Sequence, residues 1–300
     1  MSAAVSAAVI AATGSDFATL LVDNEAMLRL GAFAVVLLLL AVAERRWPAR
    51  GDARAARRQA ANLGLVVIDT LMLRVAFPLL AVALAGQVHG RGGGLFGMLD
   101  WPPWLAIPLA VLIFDAAIYW QHRLLHLVPP LWRLHRVHHS DIAFDVTTGV
   151  RFHPFEIALS MAIKLALVVA LGPHPAAVVI FELLLSATSL FTHADFAFPA
   201  RVERALRAVV VTPSMHRIHH SVRREETDSN YGFNLSLWDR VFGSYRACPA
   251  GHERSMPLGV PQWRDPATLG LGALLVQPFR QTPDTVAVPQ GRQHEDATDA

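Results

Sequence analysis

Eight of the fourteen histidines fall in three tight groups: His122 and His126 in HRLLH, His135, His138 and His139 in HRVHH, and His216, His219 and His220 in HRIHH. Within each group the spacing is three or four residues, which on a helix stacks the imidazoles on one face. Neutral imidazole is the commonest protein ligand for a transition metal, and several converging in one pocket are hard to keep uncharged and satisfied without one. The groups therefore predict a metal site. Eight nitrogens exceed the roughly four that one tetrahedral ion takes, so two ions are the economical expectation. His89, His174, His252 and His294 stand alone and read as ordinary surface or hydrogen-bonded histidines.

The single Cys248 excludes an internal disulfide and a thiolate zinc or iron-sulfur site supplied by this chain alone. Haem ligation asks for one histidine on each face of a porphyrin, which pairs one turn apart do not provide. A rival reading is a membrane protein that transports or stores metal. It calls for ionisable residues lining several spans at midplane depth, and the apolar segments are sparse in them.

These ligands must be positioned by an apolar framework. With 53% hydrophobic residues and a mean hydropathy of +0.37, the chain is too apolar for an ordinary soluble domain. The expected fold is all-α and integral to the membrane, with four to five transmembrane helices and a cytoplasmic helical cap carrying the histidine-rich di-metal site. Candidate spans run from Ala26 to Ala43, Asn62 to Ala85, Pro103 to Gln121, Phe155 to Gly172 and Pro175 to Thr192. Each approaches the ~17–25 residues that cross a bilayer. The start of the chain lacks a basic region, so a cleaved signal peptide is not expected.

Arginines set the orientation. The link after the first span carries Arg45, Arg46, Arg50, Arg54, Arg57 and Arg58, whereas the link from Gly86 to Pro102 carries only Arg91, which assigns the first to the cytoplasm. Counting spans then brings all three histidine groups to the cytoplasmic side, with Gly172-Pro173-His174-Pro175 as the tight turn of a hairpin on the other. Of the 26 basic residues only Lys164 is a lysine, a bias that suggests a GC-rich genome and a bacterial inner membrane, and the formal charge of +2 gives no sign of a nucleic-acid partner.

The chain divides into an N-terminal region with two spans (residues 1–104), a catalytic region (105–250) and a C-terminal part (251–300). Residues 200–251 are charged and mixed, suiting a cap, with Thr212-Pro213 as N-cap and first helical residue before the third histidine group. Trp263 to Phe279 suits a short helix, and the last twenty residues suit a disordered tail.

Around the boxes, Asp115 lies inside the third span, seven and eleven residues before His122 and His126 and on their face. An intramembrane acid is a functional candidate by default. Asp115 is expected to accept the outer N–H of a ligand imidazole, directly or through Tyr119, and these two are the candidate catalytic residues. His193, just after the fifth span, is the candidate ninth ligand. His153 is either a ligand or a hydrogen-bonding anchor at a helix start. Lys164 and Glu182, each nine residues from Pro173, lie at matching depth and predict an ion pair across the hairpin; Glu182 is alternatively an acid behind His193.

Beyond the boxes, the chain resembles the fatty acid hydroxylase superfamily, also called the sterol desaturase family. The resemblance is carried by Asp115 and Tyr119 before HRLLH, LWRLHRVHHS from Leu131, RFHPFE from Arg151, TPSMHRIHHS from Thr212 and DSNYGFNLSLWDRVFG from Asp228, and it covers roughly residues 105–245. It implies a membrane oxygenase that binds two irons through His122, His126, His135, His138, His139, His216, His219 and His220. Such an enzyme uses dioxygen to hydroxylate or desaturate a lipid-like substrate: sterol, fatty acyl, ether lipid or carotenoid. Some relatives carry a further histidine four residues before the position of His193, where this chain has Ser189. No haem, flavin or iron-sulfur motif is visible, so electrons are expected from a separate donor, a cytochrome b5-like protein or a ferredoxin.

Overall fold

Proline and glycine punctuate the chain into helices, and the apolar residues between them pack into one bundle. The structure, a computed structural model, describes residues 17–51, 55–77, 80–99 and 101–281. Its elements in order are α1 (Glu25–Arg46), α2 (Ala56–Ala76), α3 (Ala81–Gly90), α4 (Gly94–Leu99), α5 (Pro103–Leu127), α6 (Pro129–His139), a 3-10 turn (Val146–Val150), α7 (Pro154–Leu171), α8 (Pro175–Thr192), α9 (Ala200–Arg207), α10 (Pro213–His219), α11 (Arg224–Thr227), α12 (Leu237–Val241) and α13 (Leu271–Val276). The described residues contain isolated bridges but no strand.

Five helical stretches are long and apolar enough to cross a membrane: Glu25–Arg46, Ala56–Leu99, Pro103–Leu127, Pro154–Leu171 and Pro175–Thr192. This is the all-α, five-span architecture expected from sequence. One element differs. The expected span from Asn62 to Ala85 is two helices, because Phe77 leaves the helical region (φ −124°, ψ 93°) ahead of Pro78, whose ring disfavours a helical conformation in the residue before it.

The core forms where α3, α5, α7 and α8 meet, with Ala85, Ala110, Val168 and Val179 fully buried and Phe114 stacked on Phe181 at 5.1 Å between ring centroids. The small residues let the helices approach closely, as membrane bundles require. α7 closes on Gly172 in the left-handed conformation (φ 60°), and a Cβ there would lie 1.8 Å from the Gly93 carbonyl oxygen. Only glycine fits this turn of the hairpin.

The hairpin also holds the expected ion pair, Lys164 Nζ to Glu182 Oε1 at 2.6 Å. Arg29 of α1 adds a second cation, 2.9 Å from Glu182 Oε2, so three helices share one carboxylate.

The end of the bundle that carries the histidines is bound by buried charge. Arg58 on α2 donates to Asp141 at 2.7 Å and to Asp145. Arg151, fully buried, donates to the Val137 carbonyl, Asn62 Oδ1 and Ser140 Oγ at 2.8, 3.0 and 2.8 Å. Glu44 on α1 accepts from the backbone N–H groups of Val146 and Asp195 at 2.6 and 2.8 Å. The arginine-bearing link after α1 therefore lies at the same end as the histidines, where Arg50 N donates to Asp195 Oδ1 at 3.0 Å.

Thr212 caps α10 by accepting from Met215 N at 3.2 Å, with Pro213 in its first turn, as the sequence predicts. The expected helix from Trp263 to Phe279 is broken into two 3-10 turns flanking the six-residue α13. The expectation of a disordered tail falls on residues outside the described ones beyond Gln281.

Candidate metal centre

Four elements deliver the imidazoles. The last turns of α5 carry His122 and His126, α6 carries His135, His138 and His139, α10 carries His216 and His219 with His220 at its C-cap, and His193 is the C-cap of α8. Their ligand-bearing nitrogens gather into two groups, each within 4.8 Å: His122, His126, His135, His139 and His219; and His138, His193, His216 and His220. All nine side chains are buried. The nine sequence candidates are thus the nine histidines the fold brings together, with His139 and His220 stacked across the two groups at 4.4 Å.

The donor set fits two metal ions. In the five-histidine group every Nε2 is buried without a hydrogen-bond partner. Five such orphans aimed at one point are costly unless an ion occupies it. In the four-histidine group the Nε2 of His193 lies 3.1, 3.2 and 3.0 Å from those of His138, His220 and His216. Nitrogens held at about 2.0–2.1 Å by one ion sit roughly 3.0–3.4 Å apart for right-angled to tetrahedral arrangements, so these are ligand-to-ligand separations.

Outer partners fix the tautomers. His122 Nδ1 meets the Tyr231 carbonyl at 2.8 Å, His219 Nδ1 the Ser229 carbonyl at 2.7 Å, His193 Nδ1 the Ser189 carbonyl at 2.7 Å, and His135 Nδ1 the Glu156 carboxylate at 2.8 Å. These oxygens only accept, so each Nδ1 donates and each Nε2 presents its lone pair to the centre. Burial, then neighbouring imidazoles, push His138, His139, His216 and His220 well below the ordinary histidine pKa. Burial likewise lowers His193 to about 4 and His219 to about 3. These side chains are neutral at pH 7, as ligands must be.

Asp115 does not take the place expected of it. Its carboxylate accepts from Asn234 Nδ2 at 2.8 Å, Trp238 Nε1 at 2.8 Å and the Leu235 backbone N–H at 3.3 Å. It binds the segment that follows Tyr231 to α5 and touches no imidazole through these bonds. Tyr119 bonds Ser244 at 2.8 Å, and Ser244 bonds Asp239, which accepts the Tyr231 and Gly232 N–H groups at 2.7 and 2.8 Å. Both residues thus hold the loop whose carbonyl orients His122. Asp228 Oδ1 lies 3.5 Å from His126 Nδ1, and the acid that hydrogen-bonds an imidazole is Glu156, in RFHPFE, one α7 turn after His153. Helical spacing from the boxes could not reveal it, because His135 lies on a different helix.

His153 is the anchor of its two readings: Nδ1 accepts from Phe155 N at 3.2 Å and Nε2 donates to the Leu275 carbonyl at 3.1 Å. Glu182, held by Lys164 and Arg29, is not the acid behind His193. Ser189 performs that task through its backbone, and Gly149 packs so closely that a Cβ there would meet the Ser189 carbonyl oxygen at 2.3 Å.

Two cavities reach the five-histidine group. One, of about 350 Å³, runs among α1, α2, α5, α7 and α8 from His122 and His135 towards Lys164 and Glu182, with Phe33, Leu73, Ile118 and Met161 among its walls. The other, of about 610 Å³, opens in the cap beside His139 and Trp132 and is bordered by Arg133, Arg136 and Arg224.

Residues 107–244 match the family model described as fatty acid hydroxylase. The chain is 29% identical over 204 residues to an ornithine lipid hydroxylase of Rhizobium tropici, covering 68% of this chain and 59% of that one. It is 32% identical over 139 residues to an alkylglycerol monooxygenase of Homo sapiens (46% and 30% covered). It is 29% identical over 181 residues to a Delta(7)-sterol 5(6)-desaturase of Aspergillus fumigatus (57% and 50% covered). The chain therefore spans less than two thirds of the length of each of these relatives. No solved structure matches it. All three histidine boxes and His193 lie inside the stretch that matches the fatty acid hydroxylase model.

Proposed function

We propose that this protein is a membrane-embedded di-iron oxidoreductase that uses dioxygen and external electrons to hydroxylate or desaturate a lipid. The observation that carries the reading is the pair of buried imidazole groups, five and four nitrogens with lone pairs converging, at the inner end of a largely apolar cavity between spans. The relatives named as lipid hydroxylase, monooxygenase and desaturase support the same chemistry.

His122, His126, His135, His139 and His219 would hold one ion and His138, His193, His216 and His220 the other. When bound, two irons supply the activation of dioxygen needed to break an unactivated C–H bond. The chain's own residues hold and shield that chemistry. The Tyr231, Ser229 and Ser189 carbonyls and Glu156 keep the imidazole planes fixed. The walls of the cavity exclude water and present a substrate carbon beside His122 and His135. Phe152, stacked on His138 at 4.5 Å, covers the four-histidine group. The arginine-bearing link at the histidine end supports a cytoplasmic orientation in a bacterial inner membrane. A substrate then enters from the bilayer, and electrons from a cytochrome b5-like or ferredoxin-type donor arrive on the cap side, where Trp132 lies 5.1 Å from His126 and 5.3 Å from His139.

The test is oxygen uptake by the iron-loaded protein in lipid, with mass spectrometry of the lipids. The reading requires a product heavier by one oxygen or lighter by two hydrogens; metal flux into vesicles without such a product would replace it with the transport reading.

A further inference from the structure

The short cap helix α12 is held against the middle of a span. Asp115 is the thirteenth of the 25 residues of α5, and its carboxylate accepts from Trp238 Nε1 and Asn234 Nδ2, both at 2.8 Å. Asn234 Oδ1 in turn meets Thr188 Oγ1 on α8. Counted at about 1.5 Å per residue, Asp115 lies ~18 Å along α5 from Pro103, and Thr188 ~20 Å along α8 from Pro175. Both helices start at the end of the bundle away from the histidines, so two spans place the 234–238 segment at one depth. Further on, Phe242 stacks on Tyr119 at 5.2 Å and packs on Trp120 at 4.8 Å. α12 therefore runs beside α5 from the level of Asp115 to that of Trp120, ~18–26 Å from Pro103.

The hydrocarbon core of a bilayer is about 30 Å thick. Exposed Trp101 and Trp104 stand at the start of α5, and tryptophans in that position mark the edge of the core. Measured from them, α12 lies inside the hydrocarbon near its histidine-side boundary, not in the water beyond. The side chains agree. Leu237 and Val241, one turn apart on α12, are 45% and 59% exposed, and Val209 is 61% exposed. The Val209 carbonyl accepts from the Ser236 N–H at 3.1 Å, which sets it beside α12. Trp120, Leu124 and Leu127 of α5 are exposed as well, so apolar surface continues from the span onto the cap.

Polar groups of the same segment turn inward. Ser236 Oγ donates to the Arg207 carbonyl at 2.7 Å, and fully buried Asp239 accepts from the Tyr231 and Gly232 N–H groups. Arg240 lies over the Tyr245 ring at 3.8 Å and donates to the Arg207 carbonyl at 2.8 Å. Irregular backbone at membrane depth persists only where protein satisfies its polar groups.

We propose that α12 and Val209 form a wedge immersed in the membrane, with Leu237, Val241 and Val209 packed against the acyl chains of the leaflet on the histidine side. The occupant is bilayer lipid, because the patch continues the lipid-facing surface of α5. Part of the cap is then embedded, not suspended in water. Phe233, just ahead of this segment, belongs to the cavity wall that includes His122, so the metal centre is bordered by an immersed loop. The inference depends on the spans and not on lipid oxidation.

Spin labels measure the depth. In a Cys248→Ser background, single cysteines are placed at Leu237→Cys and Val241→Cys, with Leu112→Cys on α5 as the control within the bilayer and Arg254→Cys as the control in water. Each labelled protein in nanodiscs is exposed to oxygen, which concentrates in lipid, and to a water-soluble nickel chelate; metal content confirms the fold. Labels at 237 and 241 should favour oxygen as the label at 112 does, at a depth of about 5–10 Å below the phosphates. Accessibility to the nickel chelate equal to that of the label at 254 overturns the proposal. Protection from both reagents, with dipolar broadening between chains, also overturns it by showing a second copy on the patch. Val209→Cys supplies the same reading if either α12 variant fails to fold.

Discussion

Glu156 accepts the Nδ1 proton of His135 at 2.8 Å, which makes α7 a structural partner of the box on α6. The carboxylate orients the ring and raises the basicity of Nε2 at the five-histidine group. Glu156→Gln keeps the volume and removes the charge. It should lower metal affinity or activity by about 10 to 100-fold, measured as iron retained against a chelator and as turnover. Asp115→Asn, which alters the anchor of the 234–238 segment and no imidazole directly, should retain its metal better than Glu156→Gln.

The two histidine groups should be separable by mutation. His193→Ala removes one of four converging nitrogens from one group and none from the other, so about one ion per chain should be lost and the other kept. His219→Ala acts on the five-histidine group instead. Both, like His138→Ala, should abolish turnover with the protein still inserted in the membrane, because burial of the spans does not depend on the metal. Metal content and membrane fractionation of the three variants check this, and full activity in any of them removes that residue from the ligand set.

Much of this centre was legible in the sequence. Three boxes with helical spacing named eight of the nine histidines that the fold gathers, and His193 was found by its position after a span. The matching depth of Lys164 and Glu182 foretold their pairing. What stayed hidden was contact between elements far apart in the chain. Asp115 shares a helical face with His122 and His126, yet its oxygens bond Asn234 and Trp238, because the cap loop folds back over α5. Arg29, Glu44 and Glu156 meet their partners only through the bundle's packing, which periodicity does not encode. The break at Phe77 was signalled by Pro78 but masked by the continuous apolar run around it.

Arg29 changes the expected behaviour of the hairpin pair. Lys164→Met leaves Glu182 with one cation, whereas Glu182→Leu leaves Lys164 without its carboxylate and Arg29 with only Glu25, 3.5 Å away, so the second change should destabilise more. A buried ion pair broken from one side costs about 3–5 kcal/mol; the half-exposed Arg29 contributes less of this than Lys164. Thermal unfolding in detergent should rank wild type above Lys164→Met and Lys164→Met above Glu182→Leu, with Lys164→Met/Glu182→Gln recovering part of the loss. A Glu182→Leu protein as stable as wild type would show that the three charges are independent.

Gly149→Ala places a methyl group 2.3 Å from the Ser189 carbonyl oxygen and 3.2 Å from His193 Nδ1. The 3-10 turn or the end of α8 must shift, at about 1–3 kcal/mol. Lower thermal stability together with loss of the ion held by His193 is the expected result, read by unfolding and metal analysis on one sample.

The central claim is that nine neutral imidazoles form two adjoining iron sites. Metal analysis after anaerobic reconstitution with ferrous iron, on the same sample used for lipid oxidation, tests it most directly. Two irons per chain with activity proportional to iron is the predicted result. A plateau near one ion per chain, or full activity with zinc alone, would contradict it.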